Sequence, residues 1–115
     1  MDENSGDPRD VPDLIELHAL QDATAWDAAD RRLGKVGQVY VDGAGHPQWV
    51  SIPLGLFGTR EHVVPLHGAR LGEGEYAQDL HVSFAFDDIK HAPDVDHRTQ
   101  LSPEDEARLL EHYGL

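Results

Sequence analysis

Apolar and polar residues alternate along the middle of this chain in short runs. From residue 26 to residue 86 the period is two, and Gly, Pro and Asp interrupt the runs at short intervals. Short alternating runs with turn signals between them are typical of small antiparallel sheets and barrels. The pattern therefore predicts a mainly β protein built as a small antiparallel β-barrel.

A β-hairpin is predicted in the first half of this region. Residues 35–42 and 48–54 alternate, and the turn formers of residues 43–47 separate them. Alternation assigns five apolar side chains to one wall of the core: Val39, Val41, Val50, Ile52 and Leu54. Tyr40 and Trp49 then share the opposite face. Either the C-terminal helix covers that face, or the two rings form a protein interface, because exposed aromatic area usually marks one.

Two further strands are predicted beyond the hairpin. Residues 60–66 include Pro65, which lacks a backbone N–H and so indicates an edge or bulge position in a partly open barrel. Residues 80–86 alternate strongly, which predicts a last strand with Leu80, Val82, Phe84 and Phe86 inside.

The two ends of the chain differ from the middle. Residues 1–13 are acidic and lack periodic apolar positions, which predicts a disordered tail. The spacing of Leu14, Ile15, Leu17 and Leu20 indicates a short helical turn that leads into the barrel, assigned to residues 14–92. Residues 93–115 are predicted to form an acidic connector and a short C-terminal helix. This helix has Ser102 as N-cap, Pro103 in its first turn, Gly114 at its end, and a buried face of Ala107, Leu110 and Tyr113.

Several runs in this order resemble the PRC-barrel domain family, named after the H subunit of the photosynthetic reaction centre. They are LGKVGQVYVD at 33–42, PQWV at 47–50, GLFGTR at 55–60, VPL at 64–66 and IKHAP at 89–93. With the C-terminal helix, the similarity covers about residues 20–115 and is closest to stand-alone bacterial, actinobacterial-type members. The resemblance implies a partly open barrel that acts as a non-catalytic adaptor, in some relatives with a stress-related role or a role in ribosome maturation.

Charge narrows the range of partners. The net charge is −13, with net −8 in residues 1–30, zero in 31–86 and −5 in 87–115. Direct nucleic-acid binding is not expected, because it relies on clustered Lys and Arg to neutralise phosphates. The sequence contains no cysteine and no apolar run long enough to cross a membrane. We expect a cytoplasmic protein without a cofactor.

The best interface candidates are Leu56 and Phe57, together with Trp49 and Tyr40. Leu56 and Phe57 lie between Gly55 and Gly58, in a connection whose side chains can hardly all reach the interior. The alternative is that Phe57 folds back as a lid on the end of the barrel. We expect an unidentified protein partner and a homodimer, because a lone barrel of this size exposes edges.

Eight histidines suggest a second class of function, a metal or pH sensor. His62, His67 and His81 are the candidate ligands, although their spacing matches no known metal motif. No nucleophile has an activating partner in sequence, so we do not expect an enzyme. An accessory role in RNA processing at the ribosome is a third possibility, and it rests on the resemblance alone.

Overall fold

The computed structural model describes residues 17–54, 60–93 and 101–115. Its helices are α1 (Leu17–Leu20), α2 (Phe86–Lys90), α3 (Pro103–Tyr113) and a 3₁₀ turn at Gly74–Tyr76. Its strands are β1 (Thr24–Trp26), β2 (Arg32–Lys35), β3 (Val39–Val41), β4 (Pro47–Leu54), β5 (Arg60–Pro65), β6 (Arg70–Leu71) and β7 (Asp79–His81). No helix within these ranges is long and apolar enough to span a lipid bilayer.

The described strands form two sheets that do not close into a single barrel. One has the order β2-β1-β7-β6 and the other the order β3-β4-β5. The predicted fold, a mainly β, partly open barrel with a short C-terminal helix, is confirmed. Pro65 lies on β5 at the edge of its sheet, as predicted. The prediction of purely antiparallel pairing is wrong at one place, because β1 and β7 pair in parallel.

Strand β4 is at the centre of the fold and is buried on both faces. Trp49, Val50, Ser51 and Ile52 are each at most 4% exposed. Val50 and Ile52 belong to the face predicted as the core wall, and Trp49 and Ser51 to the opposite face. The alternation along β4 therefore does not separate a buried face from an exposed one, because both faces of the strand are covered.

The first strand of the hairpin is shorter than predicted. Residues 35–42 divide between β2, which ends at Lys35, and β3, which begins at Val39. The hairpin itself is confirmed, with Val39 opposite Val50 in the register. Val41 is 47% exposed, so its assignment to the core wall is wrong. The register shifts between Tyr40 and Val41, and this irregularity turns Val41 out of the wall.

The predicted strand 80–86 is also too long. Strand β7 ends at His81, and Phe86 begins helix α2. Leu80 and Val82 are buried as predicted, but Phe84 and Phe86 are only half-buried. The Phe86 N–H donates to Asp27 Oδ2 at 2.9 Å, so a carboxylate distant in sequence holds the start of the helix.

Helix α3 begins and ends as predicted. The Asp105 N–H donates to Ser102 Oγ at 3.1 Å, and Gly114 has a φ of 75°. The predicted face is partly wrong, because Ala107 is exposed and Leu109 is fully buried beside Tyr113. The Tyr113 hydroxyl donates to the Val63 carbonyl at 2.8 Å, which fastens the helix to β5. Burial, aided by the charge of Asp88, raises the pKa of the Tyr113 phenol, so it remains a neutral donor.

Several predictions lie outside the described residues. They concern the tail 1–13, the apolar residues Leu14 and Ile15, most of the acidic connector, and the turn that contains Leu56 and Phe57.

Candidate functional site

Of the aromatic pair predicted as a possible interface, Trp49 contacts helix α3 and Tyr40 lies opposite Trp49 on β3. Tyr40 is 5% exposed and Trp49 is 4% exposed. Trp49 Nε1 donates to Glu106 Oε2 of α3 at 3.1 Å, and the Tyr40 hydroxyl donates to Gln38 Oε1 at 3.0 Å. The contact between Trp49 and Glu106 agrees with the alternative in which the C-terminal helix covers this face. Neither ring is available as an exposed interface in this structure.

The three candidate histidine ligands occupy different places. His62 lies on β5 and is 9% exposed. His67 lines a cavity of about 220 Å³ beside Trp49 and Glu106, whereas His81 lines a separate groove. Within the described ranges, no three His, Asp or Glu side chains form a group that could hold a metal ion. The histidines therefore do not form a common metal site within these ranges.

The buried hydroxyl of Ser51 has a structural role. It accepts a hydrogen bond from the Gln38 N–H at 2.9 Å and donates to Glu61 Oε1. Ser51 is fully buried, and a Cβ at Gly37 would contact its hydroxyl and the Glu61 carboxylate closely. The hydroxyl thus links β4, β5 and the chain entering β3, where a substrate has no access.

A second concave surface among the described residues is a groove on the four-stranded sheet, which we call the aromatic groove. It has a volume of about 790 Å³ and is open to solvent. Its apolar and aromatic wall consists of Trp26, Leu71, Tyr76 and His81. Gly72 and four charged residues complete the lining: Asp30, Arg70, Glu73 and Asp79.

The sheet topology brings these residues together. Parallel pairing of β1 with β7 places Trp26 opposite His81, and antiparallel pairing of β6 with β7 places Arg70 on the other side of His81. The Trp26 and His81 rings stack, with centroids 6.4 Å apart and an interplanar angle of 20°. Strand pairing therefore forms the floor of the groove from residues far apart in sequence.

Among the residues that the structure describes, two ring nitrogens in this floor have no hydrogen-bond partner. They are Trp26 Nε1 and His81 Nδ1, and both are buried. Asp30 Oδ1 lies 3.6 Å from His81 Nδ1, within ion-pair distance of a charged imidazole but beyond hydrogen-bond distance. A buried polar atom without a partner costs roughly 1–3 kcal/mol. An occupant of the groove that supplies these hydrogen bonds would recover this free energy.

Tyr76 forms the outer wall of the groove and is 60% exposed. It ends the 3₁₀ turn, and its N–H donates to the Glu73 carbonyl at 2.9 Å. A Cβ at Gly72 would collide with the Tyr76 carbonyl oxygen, so only glycine allows the turn to approach β6 this closely. The position of the exposed ring therefore depends on Gly72.

We expect Gly72→Ala to lower the free energy of unfolding by about 1–3 kcal/mol, the usual cost of inserting a methyl group where there is no room. The matched control is Gly43→Ala, because a Cβ at Gly43 meets no atom within 4 Å. Urea denaturation of both variants measures the difference. Equal stability of the two variants would contradict the close packing at Gly72.

Sequence reasoning missed Trp26 and Tyr76 as site residues. Trp26 was treated only as the start of the alternating region. Tyr76 was overlooked, although it is a single aromatic in the polar run GEGEYAQD at 72–79. An aromatic with no apolar neighbours in such a run has no core face to join, and that signal could have indicated an exposed ring.

The model of the PRC-barrel domain family matches residues 12–79, which is more than half of the 115 residues. The matched range includes Trp26, Leu71 and Tyr76 of the aromatic groove, whereas His81 and the C-terminal helix lie beyond it. No curated protein matches the chain.

Proposed function

This chain belongs to the PRC-barrel domain family, and we propose that it is a non-catalytic adaptor that binds a segment of a partner protein in the aromatic groove. The proposal follows the family, whose members are small domains often involved in protein interaction. The residues proposed to contact the partner are Trp26, Tyr76 and His81, which differ from the interface candidates predicted from the sequence.

One observation carries this proposal: an exposed aromatic ring stands beside two buried ring nitrogens that lack hydrogen-bond partners. Tyrosine and tryptophan are enriched at protein interfaces, because each combines a large apolar surface with a polar group. A polypeptide segment offers both apolar side chains for the rings and carbonyl oxygens for the Trp26 N–H. The groove thus has the chemistry that a protein segment requires.

The shape of the groove favours a chain segment over a small molecule. Small-molecule sites enclose most of the ligand surface. Here the groove is open, Tyr76 is largely exposed, and Asp30, Arg70 and Glu73 at its rim are exposed as well. An extended segment can lie along such a surface, and the chain on both sides of the segment can continue into solvent.

Selection from a random peptide library displayed on phage tests the proposal. We expect selected peptides to bind the wild-type protein and Val41→Ser equally, because Val41 is a comparably exposed apolar residue on the other sheet. Binding to Tyr76→Ser and to Trp26→Phe should weaken by about tenfold, which corresponds to about 1.4 kcal/mol. Trp26→Phe retains an aromatic ring and removes the indole N–H together with part of the ring surface.

Two results would count against the proposal. Peptides that bind all variants equally would show that the binding site lies outside the groove. A selection that yields no peptide whose binding depends on Tyr76 or Trp26 would remove the support for the proposed function.

Sedimentation tests the homodimer expected from sequence. If the protein is a dimer and Tyr76→Ser dissociates it, the groove binds a second copy of this chain, and the proposal of a distinct partner is overturned. The interface at Leu56 and Phe57 stays a separate prediction, since both residues lie outside the described ranges.

A further inference from the structure

We propose that the segment bound by the aromatic groove is basic, and that it places a Lys or Arg side chain against the rings of Trp26 and Tyr76. This inference rests on the proposed function and specifies the chemistry of the partner. It follows from the charge of the groove, from its exposed ring, and from its buried hydrogen-bonding atoms.

The rim of the groove is acidic. Three carboxylates, Asp30, Glu73 and Asp79, line it, against one cation, Arg70. Arg31 keeps its positive charge but does not line the groove, and its guanidinium lies over the Phe86 ring at 4.0 Å from the centroid. The net charge of the whole chain, these residues included, is −13, which attracts basic segments at long range and repels acidic ones.

The floor of the groove can bind a cation on its aromatic rings and a neighbouring carbonyl oxygen at the Trp26 N–H. The faces of tryptophan and tyrosine rings attract ammonium and guanidinium groups. The Trp26 indole N–H requires an acceptor, and the backbone of a bound segment provides a carbonyl beside each side chain. The His81 ring stacks on the Trp26 ring, and the indole N–H is buried without a partner, so an incoming carbonyl reaches it only when a side chain of the groove moves.

The same charges argue against other occupants. A second copy of this chain carries the same net charge and would meet the acidic rim with like charge. A nucleic acid would also be repelled, because its phosphate backbone is negatively charged. A basic segment of a different protein is the occupant that the electrostatics favour.

Titration of the isotope-labelled full chain with three capped peptides tests this inference. One peptide alternates Lys with Leu, the second replaces Lys by Gln and the third replaces Lys by Glu. The readout is the indole N–H signal of Trp26, identified by its absence in Trp26→Phe. We expect the Lys peptide to shift this signal and to bind at least about tenfold more tightly than the Gln peptide. Binding of the Lys peptide should weaken with added salt, and the Glu peptide should not bind.

A matched pair of charge variants shows whether the groove itself is responsible. The triple variant Asp30→Asn, Glu73→Gln, Asp79→Asn removes the acidic rim. The control triple variant Asp22→Asn, Glu104→Gln, Glu111→Gln changes the net charge equally at exposed residues that do not line the groove. We expect the preference for Lys over Gln to disappear in the first variant and to persist in the second.

The outcomes separate the two proposals. If all three peptides shift the Trp26 signal with equal affinity, the groove binds segments but the basic preference is wrong. If both triple variants lose the preference equally, the attraction comes from net charge and the inference about the groove is wrong. If no peptide moves the Trp26 signal at any concentration, the inference fails, and the selected peptides then test the proposed function independently.

Discussion

Replacing Leu109 by alanine should lower the free energy of unfolding by about 2–5 kcal/mol, the usual cost of emptying a large buried aliphatic site. Leu109 is fully buried and is the central apolar residue of helix α3. Because a small domain has only about 5–15 kcal/mol of stability, we expect a large decrease in the urea midpoint. Three turns of helix are marginal alone, so loss of this anchor weakens the attachment of the whole helix.

The matched control is Leu110→Ala, which makes the same chemical change one residue further along. Leu110 is only partly buried and lines the cavity beside Trp49, so we expect a cost of about 1 kcal/mol. The sequence pattern assigned Leu110 to the buried face and left Leu109 outside it. Equal costs at the two positions, or a larger cost at Leu110, would show that the helix packs on the face predicted from sequence.

Asp27→Ala should lower the free energy of unfolding by about 2–4 kcal/mol, because it removes a buried carboxylate that accepts from three backbone N–H groups. The carboxylate accepts from the Ala29, Arg31 and Phe86 N–H groups at 2.7–2.9 Å, and Asp27 is 4% exposed. Through these bonds it joins the turn after β1 to the first residue of α2. Urea denaturation at neutral pH measures the loss.

Asp42→Ala is the matched control for this prediction. Asp42 accepts from the N–H groups two and four residues ahead, Ala44 and His46, in the same local arrangement as Asp27. Its side chain is 41% exposed, so water replaces the lost acceptor, and we expect a change of about 0.5 kcal/mol. A loss at Asp42 as large as that at Asp27 would contradict the assigned role of burial.

The Asp27 prediction extends to pH. Burial raises the pKa of Asp27, but hydrogen bonds from the Arg31, Phe86 and Ala29 N–H groups outweigh burial and hold it below the ordinary value of 3.8. A carboxyl whose pKa is lower in the folded state stabilises the fold fully above its unfolded pKa and loses this effect as pH falls through the folded pKa. The difference in stability between the wild type and Asp27→Ala should therefore be constant near neutrality and shrink below about pH 4. A difference that grows with acidity would reverse the assigned sign.

The sequence alone determined the features that local chemistry encodes. The hairpin follows from turn formers between two alternating runs, and Pro65 indicates an edge because it cannot donate to a ladder. Ser102 and Gly114 define the ends of α3, since an N-cap oxygen and a left-handed terminal residue act within a few positions of themselves. The PRC-barrel resemblance rests on the same turn and core positions.

The other features of the fold depend on tertiary contacts between residues that are far apart in the sequence. The carboxylate of Asp27 captures the N–H of Phe86, 59 residues away, and so changes a predicted strand into the start of a helix. Contact with the three-stranded sheet selects Leu109 for burial, because a short helix with apolar residues on several sides is rotated by what it packs against. Parallel pairing of β1 with β7 brings Trp26 to His81 and forms the aromatic groove, because strand pairing depends on which edges meet and is not encoded near either residue.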